Sequence, residues 1–271
     1  MRDIYTLIRT RYRYPAVLLR AMVTTDLQLR YQASALGYLW TLLRPLAMFT
    51  ILYVVFARFL RIGAGIPYYA IYLLFGIVAW GLVTEMTVQG LTSIVVRAPI
   101  LRKVNFPRYV VILSVAMSVL ISFVLNLFVV VIFMVALQVP VHWHVFWILP
   151  LFLELIAFAL SVTFFLSALY VRFRDLNYIW EVFLQAAFYA TPVLYPLQLV
   201  PARFARILVL NPVAQIIQDV RDVLVTDQTQ TISKLYGTQW ARAIPIGIVV
   251  VLSVTSVIFF RRRSRRFAEE A

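Results

Sequence analysis

Six apolar runs, at 36–56, 68–93, 109–137, 145–171, 178–195 and 243–260, set the terms for this 271-residue chain. The hydrocarbon core of a bilayer takes roughly 20 apolar residues of helix, and each run has about that length. Hydrophobic residues make up 63% of the sequence and charged residues only 13%, a balance that a soluble domain of this size does not need. The runs predict an all-α integral membrane protein with six transmembrane helices, and an even number of crossings returns both termini to one side. The first thirty-odd residues are charged and have no short apolar core ahead of a small-residue site, so no cleavable signal peptide is expected. The first run then acts as its own insertion signal.

A net charge of +14 raises the question of a nucleic-acid partner. The placement of the charge answers it. Of the 25 Lys and Arg residues, seventeen lie in 1–35, 97–108, 172–178 and 261–271, and seven lie in the alternate connections 57–67, 138–144 and 196–242. Basic residues are retained on the cytoplasmic side, so both termini are expected there and the charge records topology. No nucleic-acid partner is expected. The cluster RRRSRR after Phe260 reads as a membrane stop and lipid anchor.

Three segments outside the runs carry structure of their own. "RAPILRKVNFPRY", 97–109, falls in the cytoplasmic turn between the second and third runs, where Pro99 and Pro107 bracket one or two helical turns. It reads either as a rigid knob or as an ordinary positively charged loop. On a helical wheel from Pro15 to Gln32, Leu18, Leu19, Met22, Val23, Leu27 and Leu29 share one half. Asp26 and Arg30 interrupt that half and are spaced to pair, so the helix should lie on the inner membrane surface and touch something besides lipid. On the other side, Val213, Ile216, Ile217, Val220 and Leu224 keep helical spacing after an Asn-Pro start, which predicts a short amphipathic helix over 211–225. Pro192, Pro196 and Pro201 break the chain before it. This helix reads either as a lid over a pathway or as an element resting on the outer headgroups.

Ionisable groups inside the runs are functional candidates because of their cost in hydrocarbon. Arg44 and Glu85 lie at similar depth in the first and second runs and are expected to pair. Glu154 and Glu181 have no evident partner in the sequence. Catalytic chemistry is poorly supplied. The two histidines, His142 and His144, sit in a short outer loop and no metal site is expected from them. Neither lysine, Lys103 or Lys234, belongs to a phosphate-binding GxxxxGK[ST] loop. There is no cysteine, so disulfide and thiolate chemistry are excluded. Any ATP-driven work therefore requires a partner. Aromatic residues share faces in the first run (Phe49, Tyr53, Phe56) and in the fifth (Tyr178, Tyr189), as helix packing or as a wall on which sugar rings slide.

Five stretches carry a family resemblance: "LRYQASALGYLWTLLRPL" from Leu29, "LRKVNFPRY" from Leu101, "VRFRDL" from Val171, "FYATPVLYP" from Phe188 and "LNPVAQIIQDVRDVL" from Leu210. In order and position the chain resembles the permease subunits of ABC-type polysaccharide and polyol-phosphate exporters, the Wzm-like proteins of O-antigen, teichoic acid and galactan export. The likeness implies a homodimer in the bacterial inner membrane with two separate nucleotide-binding ATPase subunits, which hold the ATP and Mg2+. This chain itself would bind no cofactor. The substrate implied is an undecaprenyl-linked glycan.

By the same resemblance Ile100, Leu101, Arg102, Lys103, Val104, Asn105, Phe106 and Arg108 form the coupling helix that docks in the ATPase. Leu18, Met22, Asp26 and Arg30 belong to an interface helix within a cytoplasmic segment 1–35. The six-span domain would cover 36–260, with the coupling turn at 97–108 and external gate helices in 196–242, and a basic cytoplasmic tail at 261–271. Phe49, Tyr53, Tyr189 and Tyr195 would line a channel between the two copies. The first outer loop, 57–67, is shorter than in some relatives. Readings from other classes are a membrane-embedded lipid-linked sugar or acyl transferase, a passive channel, and an assembly scaffold. A transferase would need acid, base or metal groups gathered at one membrane face, and the carboxylates here are scattered.

Overall fold

The computed structural model describes residues 16–28, 37, 39–63, 65–103, 107–140 and 143–264, with the backbone alone at 102 and 103. Among these residues there is no strand. Helix α1 covers 16–28, and α2 (Leu39–Tyr53) continues as a π-helical stretch, Val54–Phe59. Then come α3 (Tyr69–Val96), the short α4 (Ala98–Lys103), α5 (Tyr109–Ala136) and α6 (Ile148–Tyr170), the last entered through a 3-10 turn, Trp143–Trp147. Beyond α7 (Leu176–Ala190) lie α8 (Ala202–Leu208), α9 (Pro212–Leu224) and α10 (Ile232–Tyr236). A turn, Gln239–Arg242, leads into α11 (Ala243–Ser264).

Among the described residues, five helices are long and apolar enough to cross a membrane: Leu39–Phe59, Tyr69–Val96, Tyr109–Ala136, Trp143–Tyr170 and Gln239–Ser264. Each falls within a few residues of an apolar run in the sequence. The run at 178–195 is different. Its helix α7 has 15 residues, about 22 Å of rise, which is short of a hydrocarbon core of about 30 Å. Thr191 leaves the helix with ψ 138° because the ring of Pro192 disfavours helical geometry at the residue before it. The chain then turns back, with Val193, Leu194 and Leu197 buried. The sixth expected crossing is therefore a shorter helix followed by a folded-back segment.

Helix α3 is the centre of the bundle. In its most apolar window 78% of residues are buried, against 6% in α2, so α3 is wrapped by other helices while α2 leans on the outside. Ile94, Ile112, Ala168, Val171 and Phe260 pack together, which gathers the ends of α3, α6 and α11 and the start of α5 at one end of the bundle. At the opposite end the rings of Tyr53 and Tyr69 stack at 6.4 Å. These two ends are called below the α4 end and the α9 end. Small residues set the closest approaches. A Cβ at Gly90 would lie 2.1 Å from Thr163 Cγ2, so α3 and α6 meet at a point where only glycine fits. Trp180 Nε1 donates to Thr87 Oγ1 at 2.9 Å and ties α7 to α3.

Gly90→Ala is expected to destabilise the protein by about 1–3 kcal/mol, the usual cost of overpacking. Gly247→Ala, where no atom lies within 4 Å of the added Cβ, is expected to cost nothing. Thermal unfolding of the two variants in detergent checks the contrast.

Candidate functional site

At the α4 end, Pro99 stands in the first turn of α4, and the Ile100 and Leu101 amides both donate to the Arg97 carbonyl at 3.0 Å. The next helix starts behind Pro107, whose carbonyl accepts from Val110 N at 3.0 Å. Pro107 thus stands just ahead of α5, and Pro99 in the first turn of a short helical knob, α4. Ile100 is half exposed on it. Val104, Asn105 and Phe106, and the side chains of Arg102 and Lys103, lie outside the described residues; Arg108 is partly buried at the entrance to α5.

Helix α1 packs against this knob. Met22 is buried in one cluster with Val110 and Val111, and Leu18, Leu19 and Leu101 close around it. Asp26 interrupts the apolar half of α1, and its carboxylate forms an ion pair with Arg97. Arg30, the partner expected from spacing, lies outside the described residues. The pairing seen therefore joins α1 to the end of α3.

At the α9 end, the amphipathic helix forms as its periodicity predicts. The Asn211 side chain accepts from Val213 N at 3.0 Å, and Pro212 takes the first helical position. Its polar side is not left to water, however: Gln215, Gln218, Asp219 and Arg221 are all buried. Arg221 has no exposed surface. Its Nε and Nη2 donate to the Tyr72 carbonyl at 3.0 and 2.9 Å. Nη1 donates to the Pro192 carbonyl at 2.7 Å and Nη2 to that of Val193 at 2.6 Å. The guanidinium also lies 3.5 Å from the centroid of the Tyr72 ring, within cation–π range. Tyr69 Oη adds a hydrogen bond to the Leu194 carbonyl at 2.7 Å.

The other polar side chains of α9 meet the approach to α11. Asp219 Oδ2 accepts from Gln215 Nε2 at 2.6 Å and lies 3.4 Å from Arg242 Nε. Burial pushes the Asp219 carboxyl above its ordinary value, against the opposing pull of Arg242 and Gln215. Asp222 is likewise raised by burial, with Lys234 pulling it down from 2.5 Å.

The expected lining residues separate. Phe49 is 6% exposed and packs its ring 5.6 Å from those of Tyr53 and Phe133, so it belongs to the core and does not line an open face. Tyr53 is partly buried on Tyr69. Tyr189 is exposed, and the Tyr195 hydroxyl donates back to the Tyr189 and Ala190 carbonyls at 3.2 Å. No ion pair joins Arg44 to Glu85. Arg44 is exposed and lines a groove of about 660 Å³ with Trp40, Leu43, Leu46, Ala47 and Thr50, while Glu85 accepts from Gln89 Nε2 at 2.9 Å. Sequence reasoning did not single out Arg221. Nothing in the local spacing of α9 marks it, because its partners lie 28 to 149 residues away. Among the described residues no cluster of His, Cys, Asp or Glu could hold a metal ion.

The sequence profile of the ABC-2 type transporter family matches residues 17–225. An O-antigen export system permease protein RfbA of Klebsiella pneumoniae is 31% identical over 255 residues, covering 93% of this chain and 94% of that protein. The O-antigen export system permease protein RfbA of Myxococcus xanthus is 32% identical over 265 residues, covering 97% of this chain and 98% of its own.

Two outcomes follow from the α9 end. Arg221→Ala leaves buried carbonyls without donors and should cost about 3–5 kcal/mol. Arg221→Lys keeps the charge but loses the planar fork, and should cost about 1–3 kcal/mol. Thermal unfolding in detergent measures both. A raised carboxyl binds its proton more tightly in the folded state, so its contribution to stability is gained as pH falls through the folded pKa and lost as pH rises. The unfolding midpoint of Asp219→Asn is therefore expected to vary less between about pH 4 and neutrality than that of the unmodified protein.

Proposed function

Since the chain belongs to the ABC-2 type transporter family, we propose that it is the permease subunit of an exporter that carries a lipid-linked polysaccharide across the bacterial cytoplasmic membrane. The observation that carries this reading is the likeness to O-antigen export permeases over almost the whole length of both chains. Two such chains associate with two nucleotide-binding subunits, which bind ATP and Mg2+ and hydrolyse the nucleotide. The α4 end faces the cytoplasm with both termini, in keeping with the basic residues at 97–108 and 261–263. There α4, with residues 104–108, is the projection that an ATPase subunit grips. Its short helix, Ala98–Lys103, follows directly on the end of α3, which suits it to pass on a push rather than absorb it.

The transport path lies between the two copies. Two observations support this. Helix α2 is bare along Trp40, Met48, Ile51 and Val54, and α7 along Tyr178, Ile179, Val182 and Tyr189, so both present unfilled faces. Their aromatic side chains also offer ring surfaces along which successive sugars can slide, beside the exposed charges of Arg44 and Glu181. Helix α7 and the segment that folds back after Pro192 together serve as the sixth membrane element. The helices α8, α9 and α10 are the outer gate, and the carrier lipid is undecaprenyl in type.

Charge reversal at the docking projection tests the assignment. Arg102→Glu or Arg108→Glu is expected to weaken ATPase association by at least about thirtyfold, the effect of removing one interface hot spot, and to abolish export of the surface polymer. Copurification with the ATPase and full export by both variants would contradict the docking role.

A further inference from the structure

The contact between α1 and the end of α3 has a property that an amphipathic helix on lipid does not need. Leu18, Leu19 and Met22, which would dip into the membrane on a free surface helix, are turned against Leu101, Val110 and Val111. Asp26 stands in that same apolar half. A carboxylate facing lipid there would be costly, yet its side chain is 20% exposed and that of Arg97 is 15%, so both have left water to meet one another. Arg97 is the residue at which α3 ends, where a cation is favoured by the helix dipole, and its carbonyl receives the first two amides donated from α4. The charge on Asp26 therefore grips the hinge from which the projection springs.

We infer that the Asp26–Arg97 ion pair is a positioning joint that locks α1 and the α4 projection into one body. A displacement delivered at α4 then carries α1 with it, together with the end of α3 and the start of α5. The apolar cluster supplies adhesion without direction. The ion pair supplies register, because charge-assisted hydrogen bonds are directional, and it sets α1 against α3 at a single rotation. This role requires neither residue to touch the ATPase or the transported chain. The inference rests on the reading above in which α4 receives the ATPase.

The chain contains no cysteine, so it offers no competing thiol to labels placed at chosen positions. Thr25 and Val96 are both exposed beside the joint. Thr25→Cys with Val96→Cys, spin-labelled in the complex with the ATPase subunit, should give one narrow distance that is the same with and without ATP. In the Asp26→Asn background that distance should broaden. Export per ATP hydrolysed should also fall about tenfold, as expected for loss of one charge-assisted hydrogen bond, while the ATPase stays bound. Exchanging the charges, Asp26→Arg with Arg97→Asp, should restore both readings. A distance that shifts with ATP in the unmodified background, unchanged readings in Asp26→Asn, or failure of the exchange to restore them would each overturn the joint. If the ATPase does not associate even with the unmodified chain, it is the docking reading that falls, and the label distances still report on the joint independently.

Discussion

A guanidinium with no exposed surface holds the α9 end of this molecule together. Where water is excluded, every backbone carbonyl freed from a helix needs a donor from somewhere else in the protein. The chain frees such groups when α7 stops at Thr191 and turns back at Pro192. Arg221 answers with several N–H donors in one rigid plane, reaching the carbonyls of Pro192 and Val193 and, on the far side, that of Tyr72. The break after α7, the short helix α9 and the central helix are thereby made into one unit. Gly76 belongs to the same arrangement, since a Cβ there would lie 2.4 Å from Nη2 of Arg221 and 3.1 Å from the Val193 carbonyl oxygen.

The parts of this fold governed by local composition were readable in the sequence. Among the described residues, five helices long and apolar enough to cross a membrane sit where apolar runs predict them, because length and hydropathy are properties of the local sequence. The helical turns between Pro99 and Pro107 and the amphipathic helix behind Asn211 followed from backbone rules that act over a few residues. The failures share a cause in long-range packing. The apolar run at 178–195 looked like a crossing, but Pro192 cuts its helix short and the rest is accommodated by side chains far away in the sequence. Arg44 and Glu85 match in depth on paper, yet rotation of α2 about its own axis decides what Arg44 meets, and periodicity in so uniformly apolar a helix does not fix that rotation. Phe49 turned inward for the same reason.

The two ends of the bundle are built on different principles. At the α4 end, adhesion is apolar and one ion pair supplies orientation, a combination that suits a stiff lever. At the α9 end, Arg221 is fastened to backbone carbonyls of α3 and of the segment after α7, and Asp219 to Gln215 and Arg242, and polar contacts of that kind specify one arrangement sharply. Between them runs α3, wrapped on nearly every side, and movement at either end passes along it or around it.

The contrast between an enclosed α3 and a nearly bare α2 has a consequence for how such a protein can change over generations. Replacements along α3 are judged by many neighbours at once, so most are lost to misfolding. On the outward sides of α2 and α7 few partners pass judgement, and new side chains can be tried at little cost to the scaffold. Divergence in side chains can thus accumulate on those bare faces while the spine beneath them stays almost unchanged.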